Sequence, residues 1–256
     1  MIEPFRLYWQ PGCTSCLKAK EFLTAHGIAF DSINVRAVPG AVAELDRLGA
    51  RSVPVIAQGD RFCFGQELEE VARFVGVSWR RERLPIATLI VRVRALLRAA
   101  GSLAEQIPAS SFERPIDGRP DRTYGDIAFH IAVIGEGFLA SARGDELSFD
   151  YFLKRPEGAS RCAARVSAQI KETASRFEAW AATSPTMSSD QSVRTYYGAQ
   201  PIQGVLERTA WHIAQHARQL EHIVQTLGLA PITRLGDAEL GGLPLPEKVW
   251  DKEISE

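Results

Sequence analysis

Phe5-Arg6-Leu7-Tyr8-Trp9-Gln10-Pro11-Gly12-Cys13-Thr14-Ser15-Cys16 holds the two signals that set the fold of the first part of the chain. Residues 5–9 are rich in aromatic and apolar side chains and predict a strand. Gly12 then turns the chain into a helical pattern over 14–26, which stops at His26-Gly27 with Gly27 at the C′ position. Outward from this pair, residues 30–35 predict a second strand and 40–48 a second helix. Residues 53–57 and 61–64 predict a hairpin around Gln58-Gly59-Asp60, and 66–75 a third helix. The order is β-α-β-α-β-β-α, an α/β domain spanning 1–79.

Cys13 sits between the first strand and the first helix. Unpaired backbone N–H groups and the helix dipole there favour negative charge on its sulfur. A stabilised thiolate is the nucleophile of thiol–disulfide exchange, and Cys16, one turn later, reaches the same sulfur to resolve a mixed disulfide. Structural thiols or half of a zinc site are the competing readings, with Cys63 as the one further candidate ligand. Otherwise Cys63 reads as a small apolar residue of the last strand. Cys162 opens a later helix and carries no pattern.

With Cys13-Thr14-Ser15-Cys16, Ser52-Val53-Pro54-Val55 and Phe64-Gly65-Gln66 in place, residues 4–76 resemble the glutaredoxin family. The resemblance implies a thioredoxin-like fold with catalytic Cys13 and Cys16 and a cis-proline at Pro54 opposite them. It also implies a thiol-substrate site made of Thr14, Val53, Pro54, Gly65 and Gln66, with glutathione or a similar thiol as co-substrate. The family's Pro-Tyr between the cysteines is Thr14-Ser15 here, and Gln10 stands where a basic residue is usual.

Residues 80–85, charged and closed by Pro85, read as a linker. Beyond it the period is 3.6. Residues 86–106 place Leu89, Val93, Leu96, Leu97 and Leu103 on one face, and 124–141 and 160–182 give two more helices. Thr123 and Asp126 form a capping box, and Pro201 opens the longest helix, which stops at Gly228. Four amphipathic helices with long connections predict an all-α four-helix bundle over 86–256. Leu240, Leu243, Leu245, Val249 and Trp250 predict a packed C-terminal tail for it.

His212 and His216 are four residues apart on the longest helix and share a face, and His130 lies mid-way along the helix over 124–141. Three imidazoles from two facing helices are a way to build a divalent-metal site that leaves a position open. Gln215 and Gln219 each follow a histidine by three residues and are candidates for orienting the imidazoles. Asp126, one turn before His130, is a candidate further partner or a cap alone. A surface or satisfied core histidine pair is the competing reading. His222, roughly 120° away, and His26, in the other domain, stay outside.

The run Trp211-His212-Ile213-Ala214-Gln215-His216-Ala217-Arg218-Gln219-Leu220, with Ala128-Phe129-His130-Ile131, makes residues 86–250 similar to the DinB/YfiT-like four-helix bundle family. That resemblance implies His130, His212 and His216 as ligands of one divalent metal, zinc foremost, with nickel, manganese or iron as alternatives. It also implies use of a low-molecular-weight thiol that the metal ionises for attack on an electrophile.

The chain has 256 residues and a formal charge of −1, with 8 basic and 9 acidic groups in residues 1–79. No one-sided basic field speaks for nucleic acid or an anionic membrane, and no apolar run approaches about 18 residues. A leader is not apparent and cysteines are sparse, which points to the cytoplasm. The expectation is a cytoplasmic enzyme acting on a small-molecule thiol and an electrophile or disulfide. A non-enzymatic redox or metal sensor, and a redox domain with a helical docking module, are the alternatives; a homodimer stays open.

Overall fold

The computed structural model describes residues 3–117, 119–183 and 188–251. It contains two compact units. The first joins the N-terminal residues through Glu82 to the segment from Pro246 onward, and the second is Arg83–Leu245.

In the first unit β1 (Phe5–Trp9), α1 (Thr14–Ala25), β2 (Phe30–Asn34) and α2 (Ala41–Leu48) are followed by the hairpin β3 (Val55–Gln58) and β4 (Arg61–Phe64), then α3 (Leu68–Val75). The strand order is β2-β1-β3-β4, with β1 parallel to β2 and antiparallel to β3. The alternation of β1 explains how one sheet carries helices on both faces. Leu7 points with Ile56 into a core of Ala19, Leu23, Val71 and Ala72. Tyr8, one residue on, points with Val55 and Ala57 to the other face, against Ala41 and Leu45. Each large apolar side chain buried this way contributes about 1.5–3 kcal/mol. This is a thioredoxin-like α/β layer, and its centre strand delivers the chain directly into the Cys13 loop.

The expected assignment of the tail to the helical domain is corrected. Lys20 Nζ on α1 makes a 2.9 Å ion pair with Asp251 while its ammonium stands 3.1 Å from the centre of the Trp9 ring. The Glu21 carboxylate accepts the backbone N–H of Glu247 (2.7 Å) and of Lys248 (3.1 Å). These charge-assisted bonds fasten residues 247–251 to the first unit. The apolar spacing of the tail foretold that it packs, but said nothing of where.

The second unit begins with α4 (Ile86–Glu105) and the short α5 (Ala109–Phe112). A two-stranded hairpin of β5 (Pro115–Ile116) and β6 (Arg119–Thr123) leads into α6 (Tyr124–Ala142), then α7 (Ala163–Thr183). A second hairpin, β7 (Ser192–Thr195) and β8 (Gly198–Pro201), precedes α8 (Ile202–Thr226) and the one-turn α9 (Asp237–Leu240). α4 and α6 each pack against both α7 and α8. α6 and α7 approach closely at Gly135, where a Cβ would stand 2.6 Å from Thr173 Cγ2. Both hairpins fall in segments read from sequence as plain connections, because their strands are too short to show a period.

Thr123 and Asp126 form the reciprocal capping box at the start of α6. Among the described residues α6 is the one helix long and apolar enough to cross a membrane. In it 89% of the apolar window is buried inside the protein, as in a core helix.

Candidate functional site

In the first unit Cys13 is the N-cap of α1, with its Sγ accepting the backbone N–H of Cys16 at 3.2 Å. That bond is the orphan donor of a helix start aimed at the sulfur. Cys13 is half-buried, whereas Cys16 is fully buried, so only one of the pair meets an incoming sulfur. The two are joined as a disulfide with their Cα atoms 5.2 Å apart.

The Val53–Pro54 peptide is cis, and Cys13 Sγ lies 4.0 Å from the Val53 carbonyl oxygen. Gln66 Nε2 donates to that same oxygen at 3.4 Å, and Gly65 N–H donates to Pro54 O at 2.9 Å. Four of the five expected thiol-binding residues, Thr14, Pro54, Gly65 and Gln66, are buried; only Val53 is partly accessible. Gly65 and Gln66 therefore act on the loop that carries Val53. Cys63 is on β4, where burial and the neighbouring Glu70 push its thiol up to about 12. Cys162 is a free thiol just before α7.

In the second unit α6 supplies His130 and α8 supplies His212 and His216. One ring nitrogen from each lies within 4.8 Å of the others, and all three residues are buried. His216 Nδ1–H donates to Gln219 Oε1 at 2.7 Å, which turns Nε2 toward the other two rings. The i+3 spacing had pointed to this partner. Gln215 is fully buried and its Oε1 accepts from Arg218 at 2.7 Å. Burial and the nearby Arg122 hold His216 down at about 3, and burial, Arg122 and the other rings hold His130 well below the ordinary value. His130 Nδ1 is buried without a hydrogen-bond partner.

Three buried, converging imidazoles, those of His130 and His216 held neutral by burial, fit a divalent cation of the zinc type and leave further positions open. Asp126 is not part of this group. Its Oδ2 accepts Thr123 N–H at 2.9 Å and its Oδ1 is 3.8 Å from Arg161 Nη1, so capping accounts for it. His222 is exposed and His26 caps α1 in the first unit.

Sequence reasoning missed two walls of the histidine site, Phe152 and Arg122. Phe152, in a turn of tight helix over Phe149–Leu153, places its ring 5.8 Å from that of His130 and 5.9 Å from that of His212. Tyr196 packs on Phe152 and accepts from Arg208 Nη2 at 2.9 Å. Arg122, on β6, is buried, and its charge acts on the rings of His130 and His216. Tyr196 and Tyr197 form an aromatic pair before the longest helix that sequence offers as pocket lining or plain packing; no periodic or motif signal marks Phe152 or Arg122.

The fold of the first unit and its paired cysteines define a thiol–disulfide oxidoreductase domain. Comparison agrees: residues 6–63 match the glutaredoxin family model. The glutaredoxin-like protein NrdH of Lactococcus lactis subsp. lactis is 34% identical over 67 residues, which are 26% of this chain and 93% of the relative. NrdH of L. lactis subsp. cremoris is 33% identical over the same share, and the gene 56 protein of Mycobacterium phage L5 is 40% identical over 57 residues, 55% of its length. The chain belongs to the glutaredoxin family through this first unit. No solved structure matches it significantly.

Proposed function

We propose that the chain is a cytoplasmic thiol-dependent enzyme that combines glutaredoxin-type exchange with a second, metal-dependent thiol chemistry in its helical part. In the first unit, the Cys13 thiolate attacks one sulfur of a disulfide, forms a mixed disulfide and releases the other sulfur as a thiolate. Cys16 then attacks Cys13 Sγ, expels the second thiol and leaves the Cys13–Cys16 disulfide, so two electrons pass from the dithiol to the substrate. A small thiol such as glutathione, or a protein dithiol, returns the pair to its reduced form.

The helical part is read as a DinB-like four-helix bundle whose His130, His212 and His216 hold one divalent metal, with zinc foremost. The observation that carries this reading is the convergence of three buried imidazoles from α6 and α8, with Gln219 fixing the ring of His216. A bound ion there would supply Lewis acidity and ionise a thiol at neutral pH. Burial holds His130 and His216 neutral, Gln219 orients His216, and Phe152 excludes water. Turnover separates this from a sensor. An enzyme reduces a small mixed disulfide and consumes a thiol with an electrophile, whereas a sensor changes metal affinity with redox state and turns nothing over. Elemental analysis of the purified chain offered zinc, nickel, manganese and iron tests the site directly. Equal metal in wild type and His216→Ala, with His222→Ala as control, would return the histidines to core packing.

A further inference from the structure

Arg122 stands out among the buried charges of the helical part. It is 7% exposed, and its Nε and Nη2 have no hydrogen-bond partner. A guanidinium buried with two donors unmade is costly, and such a group is ordinarily matched by an anion. The same chain shows the matched form three residues earlier. Arg119 presents Nε to Asp121 Oδ1 at 2.9 Å and Nη2 to Asp121 Oδ2 at 3.2 Å, the side-on fork of an arginine–carboxylate pair. In Arg122 the corresponding edge is open.

Its position gives that edge a meaning. Arg122 directly precedes Thr123, the N-cap of α6, and it is near enough to His130 and His216 to depress both rings. Arg119 and Arg155 add positive charge around it, while burial and these neighbours bring its guanidinium down to about 9, still protonated at neutral pH. Asp126 and Asp121 are the acidic neighbours. Asp121 is forked by Arg119, and Asp126 gives Oδ2 to the Thr123 N–H while its buried Oδ1, without a hydrogen bond, stands 3.8 Å from Arg161 Nη1. Three imidazoles contribute no negative charge. A divalent ion among them would leave this buried region strongly positive, a state that calls for an anionic ligand.

We propose that the Nε–Nη2 edge of Arg122 receives a carboxylate carried by the small thiol that the three-histidine site takes. The substrate class is a carboxylate-bearing thiol, its sulfur toward the histidines and its carboxylate on the fork. This rests on the metal–thiol reading above, and its test separates the two.

Full-length protein is loaded with zinc, its zinc content measured, and it is titrated calorimetrically with 3-mercaptopropionate and with 3-mercaptopropionamide. Wild type binds the acid at least about tenfold more tightly than the amide, the scale of a charge-assisted fork. Arg122→Gln keeps its zinc and its affinity for the amide but loses the preference, and Arg122→Lys, with charge but no fork, falls between. Because the substitution removes an unmatched charge, Arg122→Gln melts no lower than wild type; should it fail to fold, the Arg122→Lys comparison decides. Undiminished acid preference in the variants, or none in wild type, overturns the proposal. Failure to take up zinc sinks the metal reading alone. The fork is then judged on the metal-free chain by the Arg122 Nε–H resonance, which must shift saturably with propionate and not with propionamide; no shift overturns it.

Discussion

Gly65 and Pro54 stand so close that a Cβ on Gly65 would lie 2.8 Å from Pro54 Cγ and 3.1 Å from Pro54 Cβ. The proline ring has no flexible end to swing away, so Gly65→Ala must displace the Val53–Pro54 segment that faces Cys13. Overpacking of this kind costs about 1–3 kcal/mol. Gly65→Ala should lower the melting temperature and reduce disulfide reduction roughly tenfold; wild-type kinetics in a normally folded variant would show that this contact does not govern the site.

Cys13 is accessible and Cys16 is not, so the two cysteines have different jobs. Cys13→Ser should abolish disulfide reduction. Cys16→Ser should accumulate a mixed disulfide at Cys13, visible as added mass in an intact-protein spectrum. A trapped adduct on Cys16 instead would reverse the assignment.

The Cys63 thiol, raised to about 12, carries roughly one thiolate in ten thousand at pH 8. In the reduced native protein, iodoacetamide at that pH should label Cys13 first and leave Cys63 unmodified until denaturant is added. Peptide mapping over a time course reads this, and rapid labelling of Cys63 would show that its strand opens readily.

Gln219 accepts from the His216 ring at 2.7 Å. Gln219→Leu keeps the volume and removes the acceptor, so zinc affinity should fall about 10–100-fold while the fold persists. A competition titration against a chromophoric chelator measures it. Unchanged affinity would mean that packing alone orients the ring.

His216 is held at about 3 and His130 well below its ordinary value. Above about pH 6.5 these rings are neutral both folded and unfolded, so their state does not change stability there. As pH falls below that value the unfolded chain takes up protons that the folded chain refuses. The metal-free protein should therefore lose roughly 1.4 kcal/mol per pH unit on account of His216 between about 6.5 and 3, and His130 adds to the loss in the same direction. Urea melts at pH 7, 6 and 5 give the slope. His216→Gln should flatten it, and an equal slope in wild type and variant would contradict burial of a neutral ring.

The strand-to-cysteine step and the paired histidines on α8 were legible because each depends on neighbours close in sequence, whereas the cis Val53–Pro54 element came only through the family resemblance. Thr123 with Asp126, and His216 with Gln219, are three residues apart and equally readable. Arg122 and Phe152 reach the histidines only through tertiary folding, and nothing in a residue's spacing foretells a buried guanidinium. The paired strands within 115–123 and 192–201 hid in runs of two to five residues, too short to show a period. The tail escaped for a related reason: Glu21 and Asp251 are common surface residues until the chain brings them to their partners.

Synthesis order gives the Lys20–Asp251 pair a further consequence. The cysteine-bearing part of the first unit leaves the ribosome ahead of the helical part, and its fastening segment emerges only after all of Arg83–Leu245. At about 5–20 residues per second, the nascent thiol domain spends roughly ten to thirty seconds without its strap. During that interval the ammonium of Lys20 lacks its carboxylate and Glu21 its two amide donors. A ribosome that stalls inside α8 would hold out a domain whose cysteine pair is already made but whose α1 has not yet been tied down.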